Sequence, residues 1–395
     1  MVNGLSKALT GRRDKYSDIK KFLSYMANDR IHGINRHYRD YIEALNKKMG
    51  ENQVNKKEIE EPFNEFDEAL SFFNKRQSKF SPKKGFDAED KCGQGVASMA
   101  KRVNVLFSAY ARFMLTALRI YSEQQGANLI IATHDSDEKL NENYVKRYAN
   151  VPDNKRNYKW VCNDFSEWDS RYSNVFVDIM WELMTASGCP EYLATWFKNY
   201  RSDWVMVYNN KQGRTKLKGK GKQFSGNPFT ICENTLMNMA LTNAILDCED
   251  VLLALYKGDD SAILCRKGDF NAKAREILDL TKHKTKLHTF NSMEFAGWVG
   301  TEHGLFPDVI RQAAKFIDTD YRDRKHFEQA LVSLKERLRP VVSEVQAIHG
   351  CLALTEFYPQ LNSTQIRHIF DFLKLSQDTT FDNLTTVNKV EIVAN

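Results

Sequence analysis

The stretch LLALYKGDDSAILC, residues 252–265, reads as two short apolar strands, Leu252 to Tyr256 and Ala262 to Cys265, joined by the polar turn KGDDS. Apolar runs this short, interrupted by Gly and Asp that accept tight-turn geometry, are a hairpin signal. The reading places Asp259 and Asp260 at the hairpin tip. A Gly-Asp-Asp turn alone is a common surface feature, so its meaning depends on what surrounds it.

Working outward, Phe224 to Leu246 begins with the turn chemistry SGNP and continues as FTICENTLMNMALTNAIL, whose apolar positions recur at helical intervals. Further upstream, KWVCN (Lys159 to Asn163) has strand composition and runs into the acidic turn DFSEWD, Asp164 to Asp169, after which a helix is expected. Downstream of the hairpin lies the lysine-rich segment KHKTKLHTF, residues 282–290. Beyond Phe306 the pattern is helical to the end, with breaks expected at Pro340 and Pro359 and no repeats.

The rest of the chain is less eloquent. From Ser17 to about Phe73 the pattern is helical and heavily charged, with Ile19, Phe22 and Leu23 at helix spacing. Pro82 and three glycines keep Lys75 to Arg102 from being one helix; it reads as a loop-rich basic surface leading into a helix from about Ala97 to Tyr121.

With 395 residues and 42% hydrophobic content the chain can bury a large core in more than one lobe. No stretch has the unbroken apolar length of a membrane span, and Met1 to Lys15 lacks the apolar core of a signal peptide. The seven cysteines (Cys92, Cys162, Cys189, Cys232, Cys248, Cys265 and Cys351) show no paired short spacing, which favours reduced buried thiols over a zinc site or disulfides. The net charge of +6 suits a polyanionic partner but is common among soluble proteins, so it decides nothing alone. Core packing is likewise the default for the 24 Phe, 16 Tyr and 6 Trp.

Three carboxylates from two adjacent strand ends, Asp164 with Asp259 and Asp260, could converge on metal ions, and the carbonyl of Phe165 could add a ligand. Nucleotidyl transfer needs such a cage, for two hard cations about 4 Å apart. The order of DFSEWD, SGNPFTICEN and strand-GDD-strand is far more specific than any one of the three.

In this order and spacing the chain resembles the RNA-dependent RNA polymerases of the alphavirus-like supergroup, in particular hepatitis E virus and related hepe-like enzymes. The resemblance rests on NDFSEWDS (163–170), FSGNPFTICENTLMNMA (224–240), LYKGDDSAILC (255–265) and FAGWVGTEHGLFPDVIRQAAK (295–315). It extends upstream to FNKRQSKF (73–80) and KCGQGVASMAK (91–101), and spans roughly Phe73 to Pro340. At SGNPFT, Asn227 and Pro228 stand where relatives vary, while the Ser-Gly and Thr are intact.

The resemblance implies site residues one by one. Asp164 and Asp259 match the metal-binding aspartates and Asp260 their neighbour, for two Mg²⁺ ions that Mn²⁺ can replace. Asp169, with Ser225, Gly226, Thr230 and Asn234, matches the set that senses the ribose 2′-hydroxyl; buried polar groups built to bind a hydroxyl reject its absence. The plainer alternatives are helix capping for Ser225 and a turn acid for Asp169. Lys75, Lys79, Lys91 and Lys101 match the fingertip lysines that meet triphosphate and RNA, although isolated lysines are ordinarily solvated. Lys286, with Lys284 as runner-up, takes the place of the general acid that protonates pyrophosphate, while His283 and His288 read as bystanders. Arg311 falls where primer or template backbone passes; a helix-surface salt bridge explains it nearly as well.

The implied fold is an α+β, mostly helical right hand with a small antiparallel palm sheet. Residues 1–155 form the fingers and fingertips, 156–188 the palm with the first acidic motif, 189–223 a fingers insertion, 224–300 the rest of the palm, and 301–395 the thumb. The implied reaction is RNA-templated attack of a 3′-hydroxyl on an NTP in a positive-strand RNA virus. RNA template and product, NTPs, a capping enzyme and a helicase are the implied partners, in a membrane-associated replication complex in host cytoplasm. Since methyltransferase, protease and helicase modules are absent from it, the chain reads as a processed piece, an expressed domain or a subunit. Two other readings stay open. Gly258 and the Ser-Gly/Asn234 motif argue against a reverse transcriptase, and the intact acids against an inactive RNA-binding relative.

Overall fold

The computed structural model describes residues 46–51, 53, 69–75, 94–124, 128–133, 136–152, 157–186, 189, 191–210, 213–319 and 321–381. In chain order the elements begin with strands β1 (Ala69–Lys75) and β2 (Gln94–Ser98), helix α1 (Lys101–Gln124), β3 (Leu129–Ile131) and helix α2 (Asp137–Tyr148). There follow β4 (Lys159–Ser166), helices α3 (Trp168–Arg171), α4 (Asn174–Ala186) and α5 (Glu191–Ser202), the strands β5 (Trp204–Asn210) and β6 (Gly213–Gly219), and helix α6 (Thr230–Ile245). Next are β7 (Leu246–Glu249), β8 (Leu253–Lys257), β9 (Asp260–Cys265), β10 (Lys267–Phe270), α7 (Ala274–Thr281) and β11 (Lys284–Phe290). The last run is β12 (Met293–Phe295), β13 (Trp298–Thr301), β14 (Gly304–Pro307) and helices α8 (Val309–Asp318), α9 (Arg324–Leu338), α10 (Glu344–Phe357) and α11 (Ser363–Ser376). The α+β class expected from the sequence is the class observed.

The elements form two compact units. One takes β1, residues 93–134 and residues 150–291; the other takes α2 and everything from Ser292 onward.

In the first unit a five-stranded sheet has the order β11-β4-β9-β8-β3. The expected hairpin is its centre: β8 and β9 pair antiparallel from Leu253↔Leu264 to Lys257↔Asp260, leaving a two-residue loop. Gly258 in that loop has φ +61, a conformation glycine adopts freely and most residues resist. The sheet departs from the expected all-antiparallel pattern at its edge, where β3 runs parallel to β8. Parallel pairing needs a long connection, here the residues between Ile131 and Leu253. Helix α1, which precedes β3, packs against it and is tied to it by the Ser122 hydroxyl donating to Leu129 O at 2.9 Å.

A second, four-stranded sheet has the order β2-β1-β5-β6. Phe73 and Ala97, read from sequence as helical, are strand residues here because β1 and β2 pair antiparallel, Phe73 opposite Val96. Strand pairing between segments distant in sequence outweighs local propensity. Residues 46–51 are helical, as the charged N-terminal pattern suggested.

Helix α6 is buried on every side from Cys232 to Ile245, as a helix through the middle of a core must be. It belongs to one apolar cluster with α1, α4, α5 and the five-stranded sheet. The six cysteines among the described residues are all free, as expected. No helix among the described residues is long and apolar enough to cross a membrane.

The second unit is a three-stranded antiparallel sheet, β12-β13-β14, with helices on it. Arg337 lies 3.8 Å over the Trp298 ring and pairs with Asp137 of α2 at 3.2 Å, which ties α2 to this unit. Helices α9 and α10 stop short of Pro340 and Pro359, the breaks expected from sequence. Gly350 on α10 faces Phe306 so closely that an added Cβ would lie 2.1 Å from its Cγ. In a helix Gly→Ala ordinarily stabilises by up to about 1 kcal/mol; here overpacking against a fully buried ring outweighs that. Gly350→Ala is expected to destabilise the protein by about 1–3 kcal/mol in urea unfolding.

Candidate active site

The first acidic motif ends strand β4. Register pairs Asn163 with Ser261 of β9 and Asp164 with Lys286 of β11, so one further step along β4 and β9 sets Asp164 abreast of Asp260. Asp259 and Asp260 are exposed at the hairpin tip. The phenyl ring of Phe165 is buried, packed edge-on against Trp168 at 4.8 Å. Lys286 is exposed on β11. Three strands therefore bring Asp164, Asp260 and Lys286 to one end of the sheet.

The hairpin tip does not hold itself. Gly258 N–H donates to Thr235 Oγ1 at 2.8 Å and Asn238 Nδ2 donates to Gly258 O at 3.1 Å, so two side chains of α6 grip both polar groups of one peptide position. Asn238 in turn accepts from the Thr242 hydroxyl at 2.8 Å, and Thr285 and Asn163 are hydrogen-bonded to each other. Sequence reasoning passed over Thr235 and Asn238; polar residues at helical spacing i, i+3 in an otherwise apolar helix were the available signal.

After β4 the chain turns sharply through Glu167, a non-glycine residue at φ +56, into the single turn α3 that carries Asp169. Asn234 Nδ2 donates to Asp169 Oδ1 at 3.2 Å, joining the two expected ribose-sensing residues that lie furthest apart in sequence. Burial pushes the Asp169 carboxyl above the ordinary carboxylate range; the Asn234 hydrogen bond opposes this and the charge of Asp259 adds to it. Asp259 and Asp169 are thus close enough to repel.

The other expected members of that set shape the loop before α6. The Thr230 hydroxyl proton is shared between Phe224 O at 2.9 Å and Asn227 O at 2.8 Å, so it braces the turn. Ser225 O accepts from Ala97 N–H at 3.2 Å. Gly226 has φ +118, and a Cβ there would lie 2.5 Å from Ala97 O, so only glycine lets the loop close on β2. The variable Asn227 is buried, donating to Gln223 Oε1 at 3.2 Å and accepting from Phe229 N–H at 3.1 Å.

Of the expected phosphate-binding residues, Lys101 is the exposed first residue of α1 and Lys75 the last of β1, whereas Lys79 and Lys91 lie outside the described residues. Arg311 belongs to the second unit, where its guanidinium pairs with Asp308 at 3.1 Å and Glu294 at 3.4 Å. Sequence reasoning also missed Lys216, Lys218 and Lys220, exposed at every second residue along and just beyond β6. Their alternation in GRTKLKGK was legible as one strand face.

Carboxylates, which residues 164, 259 and 260 carry, are the donors that hard divalent cations take. Glu302, His303 and His349, whose ligand atoms lie within 4.8 Å of one another, belong to the second unit and mix nitrogen with oxygen donors, which is not a magnesium set.

Residues 11–375 match the protein family described as RNA dependent RNA polymerase. This chain belongs to the RNA-dependent RNA polymerase family. The family is one of RNA-dependent RNA polymerases and not of reverse transcriptases. The polymerase is 26% identical over 279 residues to the non-structural polyprotein pORF1 of hepatitis E virus genotype 1 (isolate Human/Pakistan/Sar-55), covering 70% of this chain and 16% of that one. Against the genotype 2 protein (isolate Human/Mexico) it is 26% identical over 280 residues, with the same shares. The chain therefore spans about one sixth of these relatives. Among solved structures it is similar to the RNA-dependent RNA polymerase of a human picorbirnavirus, at 12% identity and a TM-score of 0.47, over 78% of this chain and 61% of that one.

Behind the acidic end, His283 is buried among Trp168 at 4.7 Å, Phe176 at 5.1 Å and Phe165 at 5.9 Å. Burial lowers its pKa to about 4. In the unfolded chain it titrates near 6.5, so between these values the unfolded state takes up a proton that the folded state refuses. Its contribution to stability is flat above about pH 6.5 and falls as pH drops toward 4, by roughly 3 kcal/mol in all. Urea unfolding at intervals from pH 7 to pH 4.5 is expected to show this slope, and His283→Phe to flatten it.

Proposed function

We propose that the polymerase copies RNA from RNA for a positive-strand RNA virus, by attack of an RNA 3′-hydroxyl on the α-phosphate of an NTP with release of pyrophosphate. The observation that carries this reading is the convergence of β4, β9 and β11, which aligns Asp164 with Asp260 and Lys286 beside a tip fixed by α6. Two divalent cations, Mg²⁺ with Mn²⁺ able to substitute, would be held by Asp164, Asp259, Asp260 and the Phe165 carbonyl, and supply activation of the 3′-hydroxyl and neutralisation of the triphosphate. Asp169 and Asn234 bind the ribose 2′-hydroxyl from opposite sides of one hydrogen bond, in a loop that Gly226, Ser225 and Thr230 keep in place. Lys286 gives its proton to the departing pyrophosphate, and Lys75, Lys79, Lys91 and Lys101 neutralise incoming triphosphate and RNA.

In this reading the five-stranded sheet and α6 form the palm. The four-stranded sheet and α5 belong to the fingers, and residues 301–395 to the thumb. Other replication proteins, among them a capping enzyme and a helicase, act with it in a cytoplasmic complex on host membranes. The relatives are non-structural polyproteins of which this chain matches about one sixth, which supports such company.

Primer extension on an RNA template with Mg²⁺ or Mn²⁺ tests the reading. Asp259→Ala is expected to lower incorporation by roughly two to three orders of magnitude while leaving the unfolding midpoint in place. Unchanged incorporation overturns the metal assignment, and RNA binding without incorporation by the parent protein favours an inactive relative. Asn234→Ala is expected to narrow the NTP-over-dNTP ratio of kcat/KM by about 10- to 100-fold, the value of one buried hydrogen bond to a hydroxyl.

A further inference from the structure

Behind Asn234 lies a buried polar chain that links α5 and α6 to the loop between β6 and α6. Arg201 of α5 and Glu233 of α6 are both fully buried and paired at 2.8 Å. Glu233 also accepts from the Tyr172 hydroxyl at 2.6 Å on one carboxylate oxygen and from Gln223 Nε2 at 2.8 Å on the other. Gln223 Nε2 donates to Asn234 Oδ1 at 3.2 Å as well, and Asn234 Nδ2 donates to Asp169 Oδ1. The Gln223 carbonyl oxygen accepts from Phe224 N–H and Asn227 Nδ2, both at 3.2 Å.

Every hydrogen-bonding position of the Gln223 amide is thereby used, and in one orientation only. An ionised carboxylate accepts and never donates, so Glu233 compels Gln223 to present its NH₂. The same NH₂ compels Asn234 to present its oxygen to Gln223 and its NH₂ to Asp169. Reversing either amide would set oxygen against oxygen in a buried site, the costly arrangement. Arg201 Nη1 donates to the Glu233 carboxylate at 2.8 Å, and its Nη2 donates to Lys222 O at 2.8 Å.

We propose that the Arg201–Glu233 ion pair, acting through Gln223, fixes the amide orientation of Asn234 and so sets how strongly the polymerase prefers ribonucleotides. This rests on the reading of Asn234 and Asp169 as the ribose-sensing pair. Arg201, Glu233 and Gln223 are positioning residues, since none of them touches the nucleotide. Uncoupled from them, Asn234 samples both amide orientations, and the one that turns its oxygen toward Asp169 no longer donates to it.

The experiment measures kcat/KM for an NTP and its dNTP in primer extension, with unfolding midpoints, on four variants beside the parent. Gln223→Met cuts the relay, and Arg201→Met with Glu233→Met removes its anchor without leaving one buried charge unpaired, a replacement that proteins often tolerate. Both are expected to lower the NTP/dNTP ratio about 3- to 10-fold, through the dNTP and NTP KM values more than through kcat. Tyr172→Phe removes the hydrogen bond on the other carboxylate oxygen, and is expected to cost stability while leaving the ratio within about twofold of the parent. Asn234→Ala supplies the reference. If it lowers the ratio while folded Gln223→Met and the double Met variant do not, the relay is overturned and the ribose reading stands. If Tyr172→Phe lowers the ratio as far as Gln223→Met, selectivity follows general stability and the relay is again overturned. If Asn234→Ala itself leaves the ratio unchanged, the ribose reading falls and takes the relay with it.

Discussion

The first unit depends on helix α6 being buried all round while carrying polar side chains on several faces. A buried donor or acceptor without a partner costs about 1–3 kcal/mol, so each of those side chains must end on something fixed. Thr235 and Asn238 end on the Gly258 peptide, Asn234 on Asp169, and Glu233 on Arg201, Tyr172 and Gln223. The helix is therefore a rigid centre from which the hairpin tip and the acidic turn after β4 are both held. Catalysis by convergent carboxylates depends on such fixing, because the groups that bring negative charges together must resist their repulsion.

The cost of gathering acids is visible at Asp169. Its carboxyl is raised by burial and by the charges of Asp259 and Glu233, against the Asn234 hydrogen bond and the charge of Arg201. An arrangement this strained electrostatically persists because the surrounding packing over-determines it: the Gly226 loop seals on β2, and aromatic rings around His283 fill the space behind the acids. Strain, burial and polar satisfaction are here parts of one design, since loosening the packing would let water and motion relax the acids apart.

Much of this was legible in the residues. The Gly-Asp-Asp hairpin, the strand ending at Asp164 and the helix after SGNP follow from short-range chemistry, namely turn residues, apolar runs and helical spacing. Lys286 was singled out through family resemblance, and its register opposite Asp164 came only from the pairing of β11 with β4. Less legible was the four-stranded sheet, because β1 pairs with β5 across more than a hundred residues and such a partner cannot be read from local pattern. The carboxylates beside Arg311 were not legible either, since Glu294 lies 17 residues away and reaches it only through the fold.

The sequence by itself determined the family, the α+β class and the acidic residues at issue, because those are properties of residue identity and spacing. Only the tertiary structure decided which polar groups face one another. That Arg201 meets Glu233, 32 residues away, and that Asn234 turns its NH₂ toward Asp169, 65 residues away, depends on how helices pack. Hydrogen-bond direction is a property of atoms brought together in space, and nothing in a linear order of residues specifies it.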